Sequence, residues 1–246
     1  MINVGIIGFG TVGAGTAKIL LNNRALLKKR TGIDINLKQI ADIDIKRDRG
    51  VKLPKGILTT DANEVIKNPD IHIIVELIGG TGAAKKYILK AFTNRKHVVT
   101  ANKALLATYG NEIFSAAQKA DVSIGFEASV AGGIPIIKVV REGLVANRIK
   151  AIYGIINGTT NYILTKMTEE KMEFSNALRE AQRLGYAESD PTYDIEGIDS
   201  AHKITILARL GFGYAVKLDE VYTGGISHIN NLDIEFAQEL GYRIKL

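Results

Sequence analysis

The chain has 246 residues, of which 46% are hydrophobic and 24% charged, and it contains no cysteine. This balance is typical of a globular protein with a substantial core, and it excludes a disulfide framework and thiol chemistry. No apolar run approaches the roughly 18 residues that a membrane span requires, and the N-terminus shows no export signal, so we expect a cytoplasmic protein with no membrane partner.

The net charge of +6 raises the question of a nucleic-acid partner. Basic residues cluster at 28–30 and 46–49, but acids are spread through the same regions and aromatic residues make up only 7% of the chain. Since no aromatic RNA-binding motif is present, we predict that the protein does not bind nucleic acid. A basic surface also suits an anionic cofactor.

The first predicted element is the apolar run Ile2 to Ile7, which is typical of a parallel strand covered on both faces. A glycine-rich turn follows, and the chain becomes helical from Ala14 to Leu21. In this order of strand, loop and helix, glycines let the backbone approach a dinucleotide pyrophosphate, which the helix N-terminus stabilises. A tight turn without a ligand is the alternative. The predicted cofactor-binding residues of the loop are Gly8, Phe9, Gly10, Thr11, Val12 and Gly13.

A second strand is predicted from Leu37 to Ala41, followed by Asp42. An acid about 20 residues into such a unit binds the ribose of NAD, whereas nearby basic residues accommodate the phosphate of NADP. Asp42 comes later than that, and Lys46 and Arg47 follow it closely, so both NAD and NADP stay open as the cofactor.

A third strand, Ile71 to Ile78, carries Glu76, to which the pattern assigns no role. It ends in a glycine-rich turn before a helix from Ala83 to Asn94. Because open parallel sheets bind ligands beyond the carboxyl ends of their strands, we place Gly79 at the cofactor site. A plain strand-to-helix connection is the alternative.

Two more strands begin at His97 and at Val122, and the second of these ends at Phe126. The glycine-rich turn after Glu127 leads to Pro135, which fits the first turn of a helix that ends near Leu144. Alternation of apolar residues then predicts a strand from Arg148 to Ile156 with one buried face. Its buried residues are predicted to be Ile149, Ala151, Tyr153 and Ile155.

The segment from Asn157 to Tyr162 opens the next helix, with Asn157 or Thr159 as its cap. A further helix is predicted from Phe174 to Leu184, ended by Gly185 in a left-handed conformation. Pro191 excludes a continuing helix and predicts a turn from Glu188 to Tyr193.

Asp194 is then predicted to cap a helix from Ile195 to Leu210, on which Asp199 and Lys203 share one face. An exposed ion pair worth roughly 0.3 to 0.5 kcal/mol is the structural alternative for these two residues. After a short strand between Asp219 and Ile229, a last helix from Asp233 to Leu240 is capped by Gly241. Neither an internal repeat nor a low-complexity linker occurs.

The segment from Ala181 to Lys203 closely resembles the signature of homoserine dehydrogenases. The turn from Thr100 to Lys103 resembles the T-x-N-K motif of that family, and residues 157–161 resemble its N-G-T-[TC]-N turn. The resemblance covers essentially the whole chain, although we expect this family to continue beyond Leu246 into more of the substrate-domain sheet. The matching signature positions are Gly185, Tyr186, Asp190, Pro191, Asp194, Gly197, Asp199 and Lys203.

The resemblance implies an α/β fold with a Rossmann-like, doubly wound parallel sheet in residues 1–126 and a second, α+β substrate and dimerisation domain in residues 127–246. The implied reaction is reversible hydride transfer between NAD(P)H and L-aspartate 4-semialdehyde, which gives L-homoserine for threonine, methionine and isoleucine biosynthesis. The partners it implies are this small-molecule substrate and a second copy of the chain in a homodimer.

The resemblance also assigns roles to individual residues. Lys203 is the proton donor and acceptor, and Lys103 assists it. Further cofactor contacts fall on Gly79, Thr100, Lys103 and Gly185, and substrate contacts on Thr159, Glu188, Asp194 and Asp199. A monovalent cation, sodium, is held by the side chain of Glu127 and by the backbone carbonyls of Val130, Gly132 and Ile134.

Two other functions are compatible with the residues. The chain is a non-catalytic NAD(P)-binding fragment or interaction module if cofactor binds without turnover. It is a dehydrogenase of another substrate if it oxidises unrelated alcohols but not homoserine.

Overall fold

Six parallel strands form one sheet in the structure, a computed structural model that describes residues 1–246. The strands are β1 Ile2–Ile7, β2 Ile35–Ala41, β3 Leu58–Thr59, β4 Ile73–Glu76, β5 His97–Thr100 and β6 Ile124–Gly125. Their order across the sheet is β3-β2-β1-β4-β5-β6, and every neighbouring pair is parallel. This is the order of doubly wound dinucleotide-binding sheets, which confirms the predicted Rossmann-like fold.

The chain divides into two compact units, Met1–Ile136 and Ile137–Leu246, and the whole sheet belongs to the first. The division into a cofactor-binding part, 1–126, and a substrate-binding part, 127–246, stays a prediction. The helices of the first unit are α1 Thr11–Asn22, α2 Arg24–Thr31, α3 Ala62–Lys67, α4 Gly82–Thr93 and α5 Lys103–Lys119, and a 3-10 turn covers Glu127–Ser129.

The apolar run of β1 lies at the centre of this unit because both faces of the strand are covered. Ile6 is fully buried and Val4 is 4% exposed, in a cluster with Ile40 of β2. Burying such a side chain contributes about 1.5 to 3 kcal/mol. On Gly5 a Cβ atom would lie 2.4 Å from Cγ1 of Val65, so glycine lets α3 pack close to the strand.

The second unit is built from helices and irregular segments, and residues 137–246 contain no β-strand. Its core lies between the helices Gly158–Glu170 and Phe174–Arg183, where Ile163, Leu164 and Met167 pack with the small Ala177 and Ala181. The helices that follow the first unit's α5 are α6 Ile136–Lys138, which continues as a π-helical turn Val139–Gly143, then α7 Gly158–Glu170, α8 Phe174–Arg183, α9 Thr192–Ile195, α10 Ile198–Phe212 and α11 Asn231–Glu239, with a 3-10 turn at Leu218–Glu220.

None of the chain's helices combines the length and apolar character of a membrane span.

The strands predicted at Arg148–Ile156 and at Asp219–Ile229 are wrong, since the first segment is irregular and the second begins in a 3-10 turn and continues without a strand. Tyr153 is 93% exposed and Ile155 is 51% exposed, so the face predicted to be buried is open. A strand requires a neighbour that satisfies its backbone N–H and C=O groups, and residues 137–246 supply none. Alternation in the sequence therefore shows which face is apolar and does not ensure a partner.

The prediction that Asp194 caps a helix beginning at Ile195 is also wrong. Residues Thr192–Ile195 form the separate turn α9, and α10 begins at Ile198 after Gly197. Gly197 has φ +77°, and a Cβ atom there would lie 3.1 Å from the carbonyl oxygen of Gly224. This left-handed residue separates the two helices. The helix before this region is as predicted, with α8 ended by Gly185 at φ +79°.

Candidate active site

The glycine-rich loop joins β1 to α1 and needs two glycines for steric reasons. On Gly8, at φ +100°, a Cβ atom would lie 2.6 Å from the carbonyl carbon of Leu77, and on Gly13 it would lie 2.0 Å from the carbonyl oxygen of Gly8. Gly10 has no atom within 4 Å of such a position, so its outer side is open. Because no side chain caps α1, its first-turn N–H groups are available to an anion beside Gly10.

Asp42 follows β2 and braces this loop. Its Oδ2 accepts the N–H of Phe9 at 2.5 Å, and its Oδ1 accepts the N–H of Asp44 at 2.8 Å and a guanidinium N–H of Arg49 at 3.2 Å. The Arg49 guanidinium also lies 5.2 Å from the centre of the Phe9 ring. Both carboxylate oxygens of Asp42, the acid considered as a partner for the ribose of NAD, therefore already accept hydrogen bonds within the protein.

Two grooves flank the loop. One, of about 540 Å³, lies beyond the carboxyl ends of β1, β2 and β4 and is lined by residues that include Gly8, Asp42 and Gly79. The other, of about 420 Å³, runs beside the start of α1 and is lined by residues that include Lys18 and Arg47. The groove beyond the strand ends lies where doubly wound sheets bind dinucleotides. Lys18 and Arg47 place positive charge in the neighbouring groove beside α1.

Glu76, at the end of β4, is the fully buried centre of a hydrogen-bond network. Its Oε1 accepts the N–H of Ile78 at 2.9 Å, and its Oε2 accepts the hydroxyl of Thr100 at 2.7 Å. The Thr100 hydroxyl accepts the N–H of Asn102, whose side chain donates to the carbonyl of Gly80 at 2.6 Å. Burial raises the pKa of Glu76, and the hydrogen bonds from Thr100 and Ile78 oppose that shift.

This network fixes the turn that carries Lys103. Oδ1 of Asn102 accepts the N–H of Leu105 at 3.0 Å, which makes Asn102 the cap of α5, and Lys103 is the first residue of that helix. The turns after β4 and β5, where Gly79 and Thr100 were predicted to bind cofactor, are thereby joined at one edge of the sheet.

In the second unit, the amine of Lys203 is held by two oxygen atoms. It donates to Oδ2 of Asp199 at 2.5 Å and to the carbonyl of Ile156 at 2.6 Å. The Lys203 side chain is 16% exposed and that of Asp199 is 5% exposed. The alternative of an exposed surface pair is therefore wrong, because both charges are largely removed from solvent.

Asn157 joins this pair to Asp194. Its Nδ2 donates to Oδ1 of Asp194 at 2.6 Å and to Oδ2 of Asp199 at 3.0 Å. Its Oδ1 accepts the N–H of Thr160, so Asn157 is the cap of α7, whereas Thr159 is not. Sequence reasoning identified the cap and missed the contacts with the acids, which join residues far apart in the chain.

The other residues predicted to bind substrate lie around the turn after α8. The hydroxyl of Thr159 donates to the carbonyl of Tyr186 at 2.7 Å, next to Gly185. The exposed Glu188 makes no side-chain hydrogen bond or ion pair, so its carboxylate is available to a ligand. The hydroxyl and N–H of Thr192 lower the pKa of Asp190, which holds the turn before α9.

The predicted cation site lies in the turn from Glu127 to Ile134 at the end of the first unit. Ala131 and Gly133 both have positive φ, at 51° and 87°, which curls the backbone tightly. The carbonyl of Ile134 accepts the N–H of Ile136 at 2.8 Å and keeps a second lone pair. A carboxylate with carbonyl oxygens is a donor set that hard cations prefer, so the residues fit the predicted ion.

Two family models together match almost the whole chain. The model described as "Homoserine dehydrogenase, NAD binding domain" matches residues 8–127, and the one described as "Homoserine dehydrogenase" matches residues 135–246. The homoserine dehydrogenase of Neisseria gonorrhoeae is 51% identical over 245 residues, which is 100% of this chain and 56% of that protein. The chain spans little more than half the length of the curated relatives it matches.

Solved structures agree with the sequence matches. A homoserine dehydrogenase from Thiobacillus denitrificans has a TM-score of 0.92 at 52% identity, over 100% of this chain and 57% of that one. A putative homoserine dehydrogenase from Archaeoglobus fulgidus has a TM-score of 0.87 at 35% identity, over 100% of this chain and 79% of that one. A hyperthermophilic archaeal homoserine dehydrogenase, solved with NADPH, has a TM-score of 0.76 at 29% identity, over 94% of this chain and 75% of that one.

Proposed function

The chain belongs to the homoserine dehydrogenase family, and from that premise we propose that it interconverts L-homoserine and L-aspartate 4-semialdehyde with NAD(P). The observation that carries the proposal is the amine of Lys203, held between the Asp199 carboxylate and the Ile156 carbonyl in a largely buried position. Reversible oxidation of an alcohol needs such a group, because a proton leaves the hydroxyl when hydride leaves the carbon.

The cofactor is proposed to lie along the carboxyl edge of the sheet. Gly8 to Gly13 would meet its pyrophosphate, and the turns that carry Gly79, Thr100 and Lys103 would meet its other end. NAD(P), when bound, supplies the hydride acceptor or donor. The glycine sterics, the uncapped start of α1 and the basic groove at Lys18 and Arg47 support this assignment. Gly185, with φ +79° and no atom near its missing side chain, is proposed as a further cofactor contact.

Lys203 is proposed to accept the hydroxyl proton during oxidation and to return it during reduction, with Lys103 assisting. An ammonium group also stabilises the negative charge that develops on the oxygen of the aldehyde. Asp199 holds the Lys203 amine in one place, so the proton donor is ordered before substrate arrives.

The substrate ammonium group is proposed to bind the carboxylates of Glu188 and Asp199, with Asp194 and Thr159 beside them. Glu188 supports this assignment because its carboxylate is exposed and unpaired. Since Asp199 also holds Lys203, one carboxylate would orient both the substrate ammonium and the proposed proton donor.

Sodium is proposed to bind the side chain of Glu127 and the carbonyls of Val130, Gly132 and Ile134. The oxygen-only donor set in one tight turn supports it. The ion would fix that turn and is given no part in the chemistry.

A cytoplasmic homodimer that serves threonine, methionine and isoleucine biosynthesis is proposed from family membership. Tyr153, Tyr222 and Ile155, which are 93%, 95% and 51% exposed, supply apolar surface for a subunit interface. Light scattering at micromolar concentration would measure the assembly, and a monomer mass would contradict the dimer.

The activity is tested by measuring nicotinamide absorbance over time with purified protein, L-homoserine and either NAD or NADP. We expect reduction of the cofactor that requires homoserine and is absent with unrelated primary alcohols. Cofactor binding without turnover would contradict the proposal and favour the non-catalytic module. Turnover of unrelated alcohols alone would favour a different dehydrogenase.

A further inference from the structure

Asn157 uses every polar atom of its side chain and is only 3% exposed. Its Oδ1 accepts the N–H of Thr160 at 2.8 Å and the Thr160 hydroxyl at 2.9 Å. Its Nδ2 donates to Asp194 at 2.6 Å and to Asp199 at 3.0 Å. Because two carboxylates need a donor and a backbone N–H needs an acceptor, these partners determine the orientation of the amide.

Capping α7 accounts for only half of these contacts. A cap needs an acceptor for the N–H groups of the first turn, which serine and aspartate supply about as well as asparagine. Only asparagine also supplies two donor hydrogens, and here both point at carboxylates. The hydrogen bonds that Nδ2 donates to Asp194 and Asp199 are therefore not needed to start the helix.

The two carboxylates lie side by side on the same amide nitrogen. Like charges at such separation repel each other, and the buried Asp199 and half-buried Asp194 stay adjacent because one donor group satisfies both. Asp199 Oδ2 accepts a hydrogen bond from Asn157 and another from the Lys203 amine, so one oxygen joins the amide to the proposed proton donor.

We propose that Asn157 is a positioning residue for the reaction, which holds Asp199 in the orientation that places the Lys203 amine and keeps Asp194 beside it. This inference rests on the proposed function. Without the amide, repulsion from Asp194 turns the Asp199 carboxylate away, and Lys203 loses the restraint that orders it.

The test uses two variants that keep an acceptor for the cap and remove the amide nitrogen that donates to both carboxylates. Asn157→Ser retains an acceptor for Thr160 and adds no charge, whereas Asn157→Asp retains the size and the acceptor but adds a third negative charge. Asn230→Ser is the matched control, since Asn230 caps α11 through the N–H groups of Leu232 and Asp233.

We expect Asn157→Ser to lower kcat for homoserine at least tenfold while the KM of the cofactor stays within twofold and the melting temperature matches that of Asn230→Ser. Asn157→Asp should lose more kcat than Asn157→Ser. A structural role alone would lower the amount of folded protein and leave the rate per cofactor-binding site unchanged. A kcat per binding site within twofold of wild type in Asn157→Ser would overturn the inference.

A second measurement separates this inference from the proposed function. Reductive methylation of lysines, followed by peptide mass spectrometry, reports on the Lys203 amine without turnover. In Asn157→Ser we expect Lys203 to react at least threefold faster, with Lys166, which pairs with Glu170 and Glu180, unchanged. If wild type did not oxidise homoserine, the proposed function would fail, and unchanged labelling of Lys203 would then overturn the role of Asn157 separately.

Discussion

The amine nitrogen of Lys203 lies 2.5 Å from Oδ2 of Asp199, one helical turn earlier in α10. Spacing of four residues places both side chains on one face of a helix, and burial keeps them together. An isolated buried charge is costly, so each of these side chains depends on the other. The pair is thus both a structural element of the second unit and the centre of the proposed chemistry.

Replacing Lys203 tests its role as proton donor and acceptor. We expect Lys203→Ala to lower kcat at least 100-fold, the usual scale for a general acid or base, with little change in cofactor affinity. Lys203→Arg is the matched control, because arginine keeps a charge for Asp199 and does not give up its proton at working pH. Steady-state kinetics and cofactor titration measure both variants. Turnover near the wild-type rate in either variant would remove Lys203 from the mechanism.

Replacing Glu188 tests binding of the substrate ammonium. We expect Glu188→Gln to raise the KM of homoserine about tenfold or more, the effect of losing one charged hydrogen-bond partner. The KM of the cofactor and the melting temperature should stay unchanged, because the Glu188 carboxylate has no partner within the protein. Glu235→Gln, at an exposed position of α11, controls for the change of charge. Equal loss of substrate and cofactor affinity would indicate a folding defect.

Two alanine substitutions in α1 test the glycine loop. Gly13→Ala puts a Cβ atom 2.0 Å from the carbonyl oxygen of Gly8, so we expect the loop to shift and NAD(P) affinity to fall at least tenfold. Gly15→Ala meets no atom within 4 Å on the same helix and should leave affinity intact, with stability raised by up to about 1 kcal/mol. Fluorescence titration with NADPH measures both. Similar affinities in the two variants would contradict a steric requirement at Gly13.

Glu76 predicts a pH dependence of stability. Burial raises its pKa in the folded protein above the ordinary value of 4.5, so its contribution to stability is fully present below that value and is lost as pH rises through the folded-state pKa. The free energy of unfolding of wild type relative to Glu76→Gln should therefore fall as pH rises from 4 towards neutrality. Urea titrations at several pH values measure this difference. A difference that is constant or increases with pH would contradict a raised pKa.

Replacing Arg47 tests which cofactor the groove beside α1 accepts. Arg47 and Lys18 border this groove, while both oxygens of Asp42 are engaged within the protein, so we expect the 2′-phosphate of NADP to be accommodated. Arg47→Ala should lower kcat/KM with NADP about tenfold and leave the value with NAD within twofold. Lys28→Ala, at an exposed position of α2, is the control for loss of charge. Equal effects on both cofactors would place the phosphate elsewhere.

Local sequence patterns determined the sheet and the positions of the turns that are predicted to bind ligand. The apolar run of β1, the steric need for glycine at Gly13 beside Gly8, and the cap at Asn157 each depend on a few neighbouring residues. For the same reason, Asp199 and Lys203 were predicted on one helix face although the helix was expected to start at Ile195.

Only the tertiary structure decided what these elements meet. Alternation from Arg148 to Ile156 marks an apolar face, but a strand also needs a neighbour, and Tyr153 is left 93% exposed. Asp194 is not a cap, because Gly197 separates the helices and Asn157, 37 positions earlier, binds its carboxylate. The burial of Glu76 and its bond to Thr100 likewise join separate strands. Hydrogen bonds between distant residues depend on how elements pack, and no local pattern encodes that packing.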